Sequence, residues 1–114
     1  MMRDSVNTVR TLRAAIEAGL PYGPSLIPLD ILIAVTTAAH DDEALTVNQL
    51  LSVIPHSVTG IRYNLSRLID DGWVERFLPD WDRRMVVLLP TERTVQKFQA
   101  MEAALRKALD AANA

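Results

Sequence analysis

The sequence lacks cysteine, a signal-peptide segment and any long hydrophobic run. Without cysteine there is no disulfide bond and no cysteine-based metal site, which suits a reducing compartment. Residues 1–20 are too polar and too charged for a signal peptide. The longest apolar stretch, Leu26–Ala39, carries Asp30 and two threonines and is too short to span a bilayer. We therefore expect a cytoplasmic protein with no membrane partner, in which this stretch forms a buried helix.

Sequence motifs that carry catalysis are also missing. The two histidines, His40 and His56, fall in different predicted elements, and neither has acidic neighbours at the spacing of metal ligands. No glycine-rich phosphate loop, nucleophile elbow or metal-binding motif is present. These absences predict a protein that is not an enzyme and that needs no cofactor.

Charge of one sign is not in excess either. The chain has 12 basic and 14 acidic residues, for a net charge of −2. A nucleic-acid-binding protein usually has a basic patch, yet even residues 57–84 hold five arginines and five carboxylates. If this segment binds nucleic acid, its arginines must point toward the ligand and its carboxylates away from it.

The chain does contain a succession of helical patterns, typical of one small domain spanning residues 1–114. Apolar residues at helical spacing predict a first helix over Ser5–Ala18, ended by Gly19 as a left-handed cap and by Pro21. After a proline-rich loop, a second helix is predicted over Pro28–His40.

Residues 45–71 predict a helix-turn-helix. Thr46 and Gln49 match the reciprocal capping pattern at the start of a short helix, Val47–Ser52. After a break, a second helix is predicted over residues 57–71. The order of these elements is the one that places the second helix in a DNA major groove.

A β-hairpin is predicted directly after this second helix, which Gly72 stops. The hairpin consists of a strand, a turn and a return strand: Trp73–Phe77, Pro79–Asp82 and Arg83–Leu89. Residues 45–89 therefore form the predicted DNA-binding core, with a wing at 73–89. The expected fold is mainly α with a small β-hairpin wing.

The second helix of the motif separates an inward from an outward face. The inward positions are apolar: Val58, Ile61, Leu65 and Leu68. Hydroxyl groups and arginines on the outward face can contact phosphates or base edges. The candidate DNA contacts on or beside that face are His56, Ser57, Thr59, Gly60, Arg62, Tyr63, Ser66 and Arg67. A merely solvated face is the alternative, and the adjacent wing favours DNA.

Two of these candidates have a second interpretation. A glycine inside a helix costs about 1 kcal/mol relative to alanine, and close approach of either DNA or a neighbouring helix would justify Gly60. His56 is either a DNA contact or merely exposed.

Residues 57–92 resemble the winged helix-turn-helix of the MarR family of bacterial transcription regulators. The matching segments are Ser57–Thr59, Leu68–Arg76, Asp82–Leu88 and Thr91-Glu92. The chain departs from the family pattern at Pro90, where the family usually has leucine. With the order of the preceding helices, the resemblance extends over nearly the whole chain.

The resemblance implies a homodimer bound to a pseudo-palindromic site in double-stranded DNA. The second helices of the two motifs would occupy successive major grooves, with the wings at the minor groove. The family's wing arginines correspond to Arg83 and Arg84, which join the candidate DNA contacts. One commonly inserts into the minor groove while the other pairs with a wing aspartate, here Asp80 or Asp82.

The first and last helices are expected to mediate dimerisation, within residues 1–20 and 91–112. The last helix, opened by Thr91 and running to about Ala111, would be roughly 30 Å long, longer than a small domain needs for its own core. Both helices carry apolar stripes. These stripes either pack on each other within one subunit or intertwine with a second copy, and we expect a homodimer.

The sequence thus predicts a sequence-specific DNA-binding transcriptional regulator acting as a homodimer. The rival interpretation is a winged-helix module that binds other proteins and not DNA, which the balanced charge would suit. A small-molecule effector near the loop Pro21–Pro28 is left open and its identity is unknown. Trp81, at the tip of the wing, is expected to fold back or be buried in a partner, although wedging at the minor groove is the alternative.

Overall fold

The computed structural model describes residues 2–82 and 84–112. Within these residues the chain forms five helices and one antiparallel pair of strands. In chain order they are α1 Met2–Ala18, α2 Ile27–His40, α3 Val47–Val53, α4 Val58–Asp70, β1 Val74–Phe77, β2 Val87–Pro90 and α5 Glu92–Ala112. This order confirms the predicted mainly α fold with a hairpin wing.

Side-chain caps fix where α3 and α4 begin. The Thr46 hydroxyl accepts a hydrogen bond from the Gln49 N–H (3.2 Å), and the Gln49 side chain accepts one from the Thr46 N–H (2.9 Å), so the predicted capping box is confirmed. The Ser57 hydroxyl accepts from the Gly60 N–H at 3.0 Å. Ser57 is therefore the cap of α4 and not its first helical residue.

The end of α4 is a glycine cap. Gly72 has a φ of +79°, the left-handed conformation that favours glycine. The Trp73 N–H donates to the Leu68 carbonyl (2.8 Å) and the Gly72 N–H to the Ile69 carbonyl (3.1 Å), the pair of bonds that closes a Schellman motif. Because this N–H of Trp73 is already used, β1 begins at Val74, one residue later than predicted.

The return strand of the wing also begins later than predicted, at Val87 and not at Arg83. The Asp82 carboxylate accepts a hydrogen bond from the Arg84 N–H (3.0 Å). The Asp82 carbonyl accepts one from the Met85 N–H (3.2 Å). These local turns use backbone groups that a strand would have offered to β1.

The hydrophobic core lies between α2, α4 and the hairpin. Its buried members are Ile31, Leu32, Val35, Leu50, Ile61, Leu65, Leu68, Trp73, Val74 and Leu88. Each such side chain contributes about 1.5–3 kcal/mol through burial. The prediction that Val58 packs inward is wrong: as the first residue of α4, at the uncovered helix end, it is 53% exposed.

Helices α1 and α5 pack against each other and form a projection that we call the tower. The molecule measures 56 × 26 × 22 Å, so it is elongated. Gly19 was predicted to be a left-handed cap, which is wrong, because among the described glycines only Gly23 and Gly72 have positive φ. Gly19 is instead buried against α5, where an added Cβ would lie 2.7 Å from the Met101 side chain. None of the described helices is long and apolar enough to cross a membrane.

Candidate nucleic-acid interface

The outward face of α4 is polar and exposed. Burial of Ile61 and Leu65 against the core leaves Thr59, Tyr63 and Ser66 on the solvent side, with Tyr63 66% exposed. Residues 57–69 contain two arginines and no carboxylate. This helix therefore carries local positive charge although the chain as a whole does not.

A cleft of about 690 Å³ connects α4 with the wing and the start of α3. Arg62 lines it from α4 and Arg84 from the wing, and Asp82 is the one acidic side chain among the residues described as lining it. Arg62 makes no hydrogen bond or ion pair with any residue in ranges 2–82 and 84–112. Its guanidinium is therefore free to meet a ligand.

Arg84 is held in the wing by a weak contact. Its Nε lies 3.5 Å from the Asp82 carboxylate, and its side chain is 95% exposed. Exposed ion pairs of this kind contribute about 0–1 kcal/mol, so this contact orients Arg84 without withdrawing it from solvent. The pairing is of the kind that the family resemblance implied for one wing arginine. The other, Arg83, lies outside the described residues, so its role as a DNA contact stays a prediction.

Gly60 has a packing explanation. A Cβ there would lie 2.9 Å from the Ser57 hydroxyl oxygen and 3.3 Å from Cδ1 of Ile27 in α2. Of the two reasons considered for this glycine, close approach of a neighbouring helix is therefore present in the fold. Gly60 and Ser57 as DNA contacts remain predictions.

His56 is tied to α2. Its Nε2 lies 2.7 Å from an Asp30 carboxylate oxygen, and its side chain is 24% exposed. The expectation that His56 either contacts DNA or is merely exposed therefore missed its role in joining α2 to the start of α4. In the part of the chain that the structure describes, no group of three or more His, Asp or Glu side chains could hold a metal ion.

Arg67 is also engaged within the fold. Its guanidinium lies 3.8 Å from the centroid of the Tyr22 ring, a cation–π contact. The Tyr22 hydroxyl donates to the Asp71 carboxylate. Burial of the phenol, reinforced by that hydrogen bond, raises the pKa of Tyr22 to about 12. Arg67, predicted as a DNA contact, is therefore exposed but not free.

No local pattern in the sequence predicts this cluster of Tyr22, Arg67 and Asp71. Tyr22 lies 45 residues before Arg67 and 49 before Asp71, and neither pairing follows from helical spacing. Tyr22 was considered only for a loop that could line an effector pocket. Only the packing of the loop after α1 against α4 brings the three side chains together.

Trp81 is 80% exposed and lines a groove together with Phe77 and Leu89 of the hairpin. The wing therefore does not bury this side chain. Burial in a partner and contact with the minor groove both remain predictions. Trp73, by contrast, is 8% exposed and belongs to the core.

The capped second helix, the free arginine on its face and the adjacent hairpin define a winged helix-turn-helix protein. No known family profile matches the sequence, and no curated protein matches it. Similar solved structures are those of MarR-type transcriptional regulators. MepR from S. aureus, bound to ethidium bromide, superposes with a TM-score of 0.70 at 14% identity, covering 90% of this chain and 70% of MepR.

Two further solved structures of transcriptional regulators superpose on this chain. The transcriptional regulator PA4135 has a TM-score of 0.63 at 19% identity, covering 96% of this chain and 75% of that one. A mutant of MarR from E. coli, complexed with operator DNA, has a TM-score of 0.62 at 18% identity, covering 96% of this chain and 73% of MarR. The chain therefore has the winged-helix fold of the MarR-type regulators.

Proposed function

We propose that this protein is a sequence-specific DNA-binding transcriptional regulator that acts as a homodimer. The observation that carries the proposal is the cleft that Arg62 of α4 and Arg84 of the wing line together. Two cations on separate elements that face one space suit the spaced phosphates of a duplex. The fold shared with regulators, one of them solved with operator DNA, supports the same conclusion.

In this mechanism phosphate contacts supply affinity and α4 supplies base choice. Arg62 and Arg84 neutralise phosphates on the wing side of the inserted helix and release counterions. Thr59, Tyr63 and Ser66 present hydroxyl groups that donate to or accept from base edges in the major groove. The acidic remainder of the chain weakens binding to arbitrary polyanions, because like charges repel.

The homodimer is inferred from apolar surface on and beside the tower. Val9 is 66% exposed, Val6 49% and Leu26 52%. A groove of about 380 Å³ runs beside them, lined by Leu12, Ile16 and other apolar residues. A second copy would bury these side chains and bring a second α4 about one helical turn of DNA away.

Binding to DNA is tested by mobility shift of a genomic fragment pool over a salt series. We expect the affinity to fall steeply between about 50 and 200 mM salt. Each neutralised phosphate contributes about 0.9 to the slope of the logarithm of the binding constant against the logarithm of the salt concentration. Arg62→Ala and Arg84→Ala should each lower that slope by about 1. The matched control is Arg106→Ala, which removes the same charge from α5, outside the cleft.

Absence of binding at low salt, or a salt response that stays flat, would contradict the proposal. That result would leave the protein-binding module as the remaining interpretation of the winged helix.

The dimer is tested by light scattering of the protein as it elutes from a sizing column. Val9→Asp should convert the dimer to a monomer, because a buried unpaired carboxylate is costly at an apolar interface. Val53→Asp is the control: this valine is 55% exposed but lies on α3, away from the tower. A wild-type protein that elutes as a monomer would refute the homodimer.

A further inference from the structure

Two sets of contacts converge on the C-terminal end of α4. On one side stands Tyr22, in the loop between α1 and α2. The Arg67 guanidinium lies over its ring, 3.8 Å from the ring centroid. Its hydroxyl donates to the Asp71 carboxylate and lies 3.3 Å from the Arg67 carbonyl. The loop after α1 is thereby attached to the last turn of α4.

The start of α5 holds the same end of α4 from the other side. The Arg93 guanidinium lies 3.8 Å from the centroid of the Trp73 ring and donates to the Asp71 carbonyl. The Thr94 hydroxyl donates to the Trp73 carbonyl at 2.5 Å. Asp71 is thus contacted through its side chain by the loop after α1 and through its backbone by α5.

The loop that follows α1 and the start of α5 therefore contact the same end of α4. We propose that Tyr22, Arg67, Asp71 and Arg93, here called the joint, set the angle between the tower and α4, and that Tyr22 is a positioning residue for DNA binding. Among the residues whose burial the structure describes, none in α1 belongs to the buried core cluster. The orientation of α1 relative to α4 consequently depends on the joint and on packing against α5.

The consequence for DNA rests on the proposed function. If the tower carries the dimer contact, its angle to α4 fixes the separation of the two copies of α4 in the dimer. That separation selects the spacing of the two half-sites. The joint then contributes to specificity although none of its contacts reaches a base, and Arg67 serves the protein's geometry and not base reading.

The angle can be measured directly, because the chain has no cysteine. Spin labels at Ala14→Cys on α1 and Ser66→Cys on α4, both at exposed positions, report the intramolecular distance when labelled protein is diluted with unlabelled protein. Tyr22→Phe removes only the hydroxyl group, and we expect it to broaden the distance distribution. Tyr63→Phe removes the other tyrosine hydroxyl of the chain, at an exposed site on α4, and should leave the distribution unchanged.

An unchanged distribution in a folded Tyr22→Phe protein would overturn the proposal. If Tyr22→Phe does not fold, Arg67→Lys provides the second test, since it keeps the charge but loses the planar group that stacks on the ring. Broadening in that variant supports the joint, and a distribution identical to wild type refutes it.

The DNA consequence has its own measurement. Tyr22→Phe should reduce the preference for a correctly spaced double site over a double site with altered spacing by about tenfold, with single half-site affinity unchanged. Equal loss at all sites would show a general effect on folding and would contradict a positioning role. If the wild-type protein binds no DNA, the proposed function fails while the distance measurement still decides the joint.

Discussion

The two arginines of α4 are five residues apart on one helix, but their side chains have different surroundings. Arg62 lines an open cleft and has no ion-pair or hydrogen-bond partner in the described part of the chain. Arg67 lies on an aromatic ring that another loop supplies. On the exposed face of α4, the arginine nearer the N-terminus is therefore free to meet a ligand, whereas the arginine nearer the C-terminus is restrained by the loop after α1.

The largest effect is expected at the restrained end. Trp73→Ala should lower the free energy of unfolding by about 3–5 kcal/mol, because it empties a buried aromatic site and removes the ring on which Arg93 stacks. Urea denaturation followed by circular dichroism measures the loss. Trp81→Ala is the matched control: this tryptophan is 80% exposed, and its loss should change stability by less than about 0.5 kcal/mol. A comparable loss in Trp81→Ala would mean that a partner buries Trp81.

Replacing each of the two arginines with alanine should produce different effects on DNA binding and on stability. Arg62→Ala should weaken DNA binding about tenfold, as expected for a lost phosphate contact or base contact, with the free energy of unfolding unchanged. Arg67→Ala should instead lower the free energy of unfolding by about 0.5–1 kcal/mol, the range for an exposed cation–π contact. The salt slope of DNA binding in Arg67→Ala should match that of the wild type. A slope reduced by about 1 in that variant, with stability retained, would make Arg67 a DNA contact after all.

Local patterns in the sequence predicted the elements of the fold with good agreement. Thr46 with Gln49, and Gly72 at the end of an amphipathic helix, are signals whose chemistry acts within a few residues, and the structure has both caps. The predicted start of the return strand was wrong because of another local contact. The Asp82 carboxylate accepts a hydrogen bond from the Arg84 N–H and forms a turn, which the alternation of aliphatic residues does not reveal.

The candidate site was less predictable, because side-chain partners depend on packing. The helical pattern placed Thr59, Arg62 and Tyr63 outward, where they are exposed. It could not foresee that Asp30 would engage His56 from a distance of 26 residues, or that Tyr22 would engage Arg67. Solvent-facing positions follow from periodicity, whereas which of them stay free follows only from the tertiary arrangement.

The smallest effect concerns pH at the restrained end of α4. The pKa of Tyr22 is raised from 10.0 to about 12 in the folded protein, chiefly by burial and then by the hydrogen bond to Asp71. A group whose pKa is higher when folded contributes stability below its unfolded pKa and loses that contribution as the pH rises through the folded value. The contribution of Tyr22 should therefore be complete below pH 10 and decline toward pH 12.

This decline is measured as the difference in unfolding free energy between wild type and Tyr22→Phe, which has no phenol to ionise at that position. The difference should be constant at neutral pH and shrink between about pH 10 and pH 12. In a Tyr63→Phe background Tyr22 is the one remaining tyrosine of the chain, so tyrosinate absorbance gives its titration separately. A midpoint near pH 10 would show that Tyr22 is neither buried nor bonded to Asp71. The contrast between the free and the restrained arginine of α4 would then lose its physical cause.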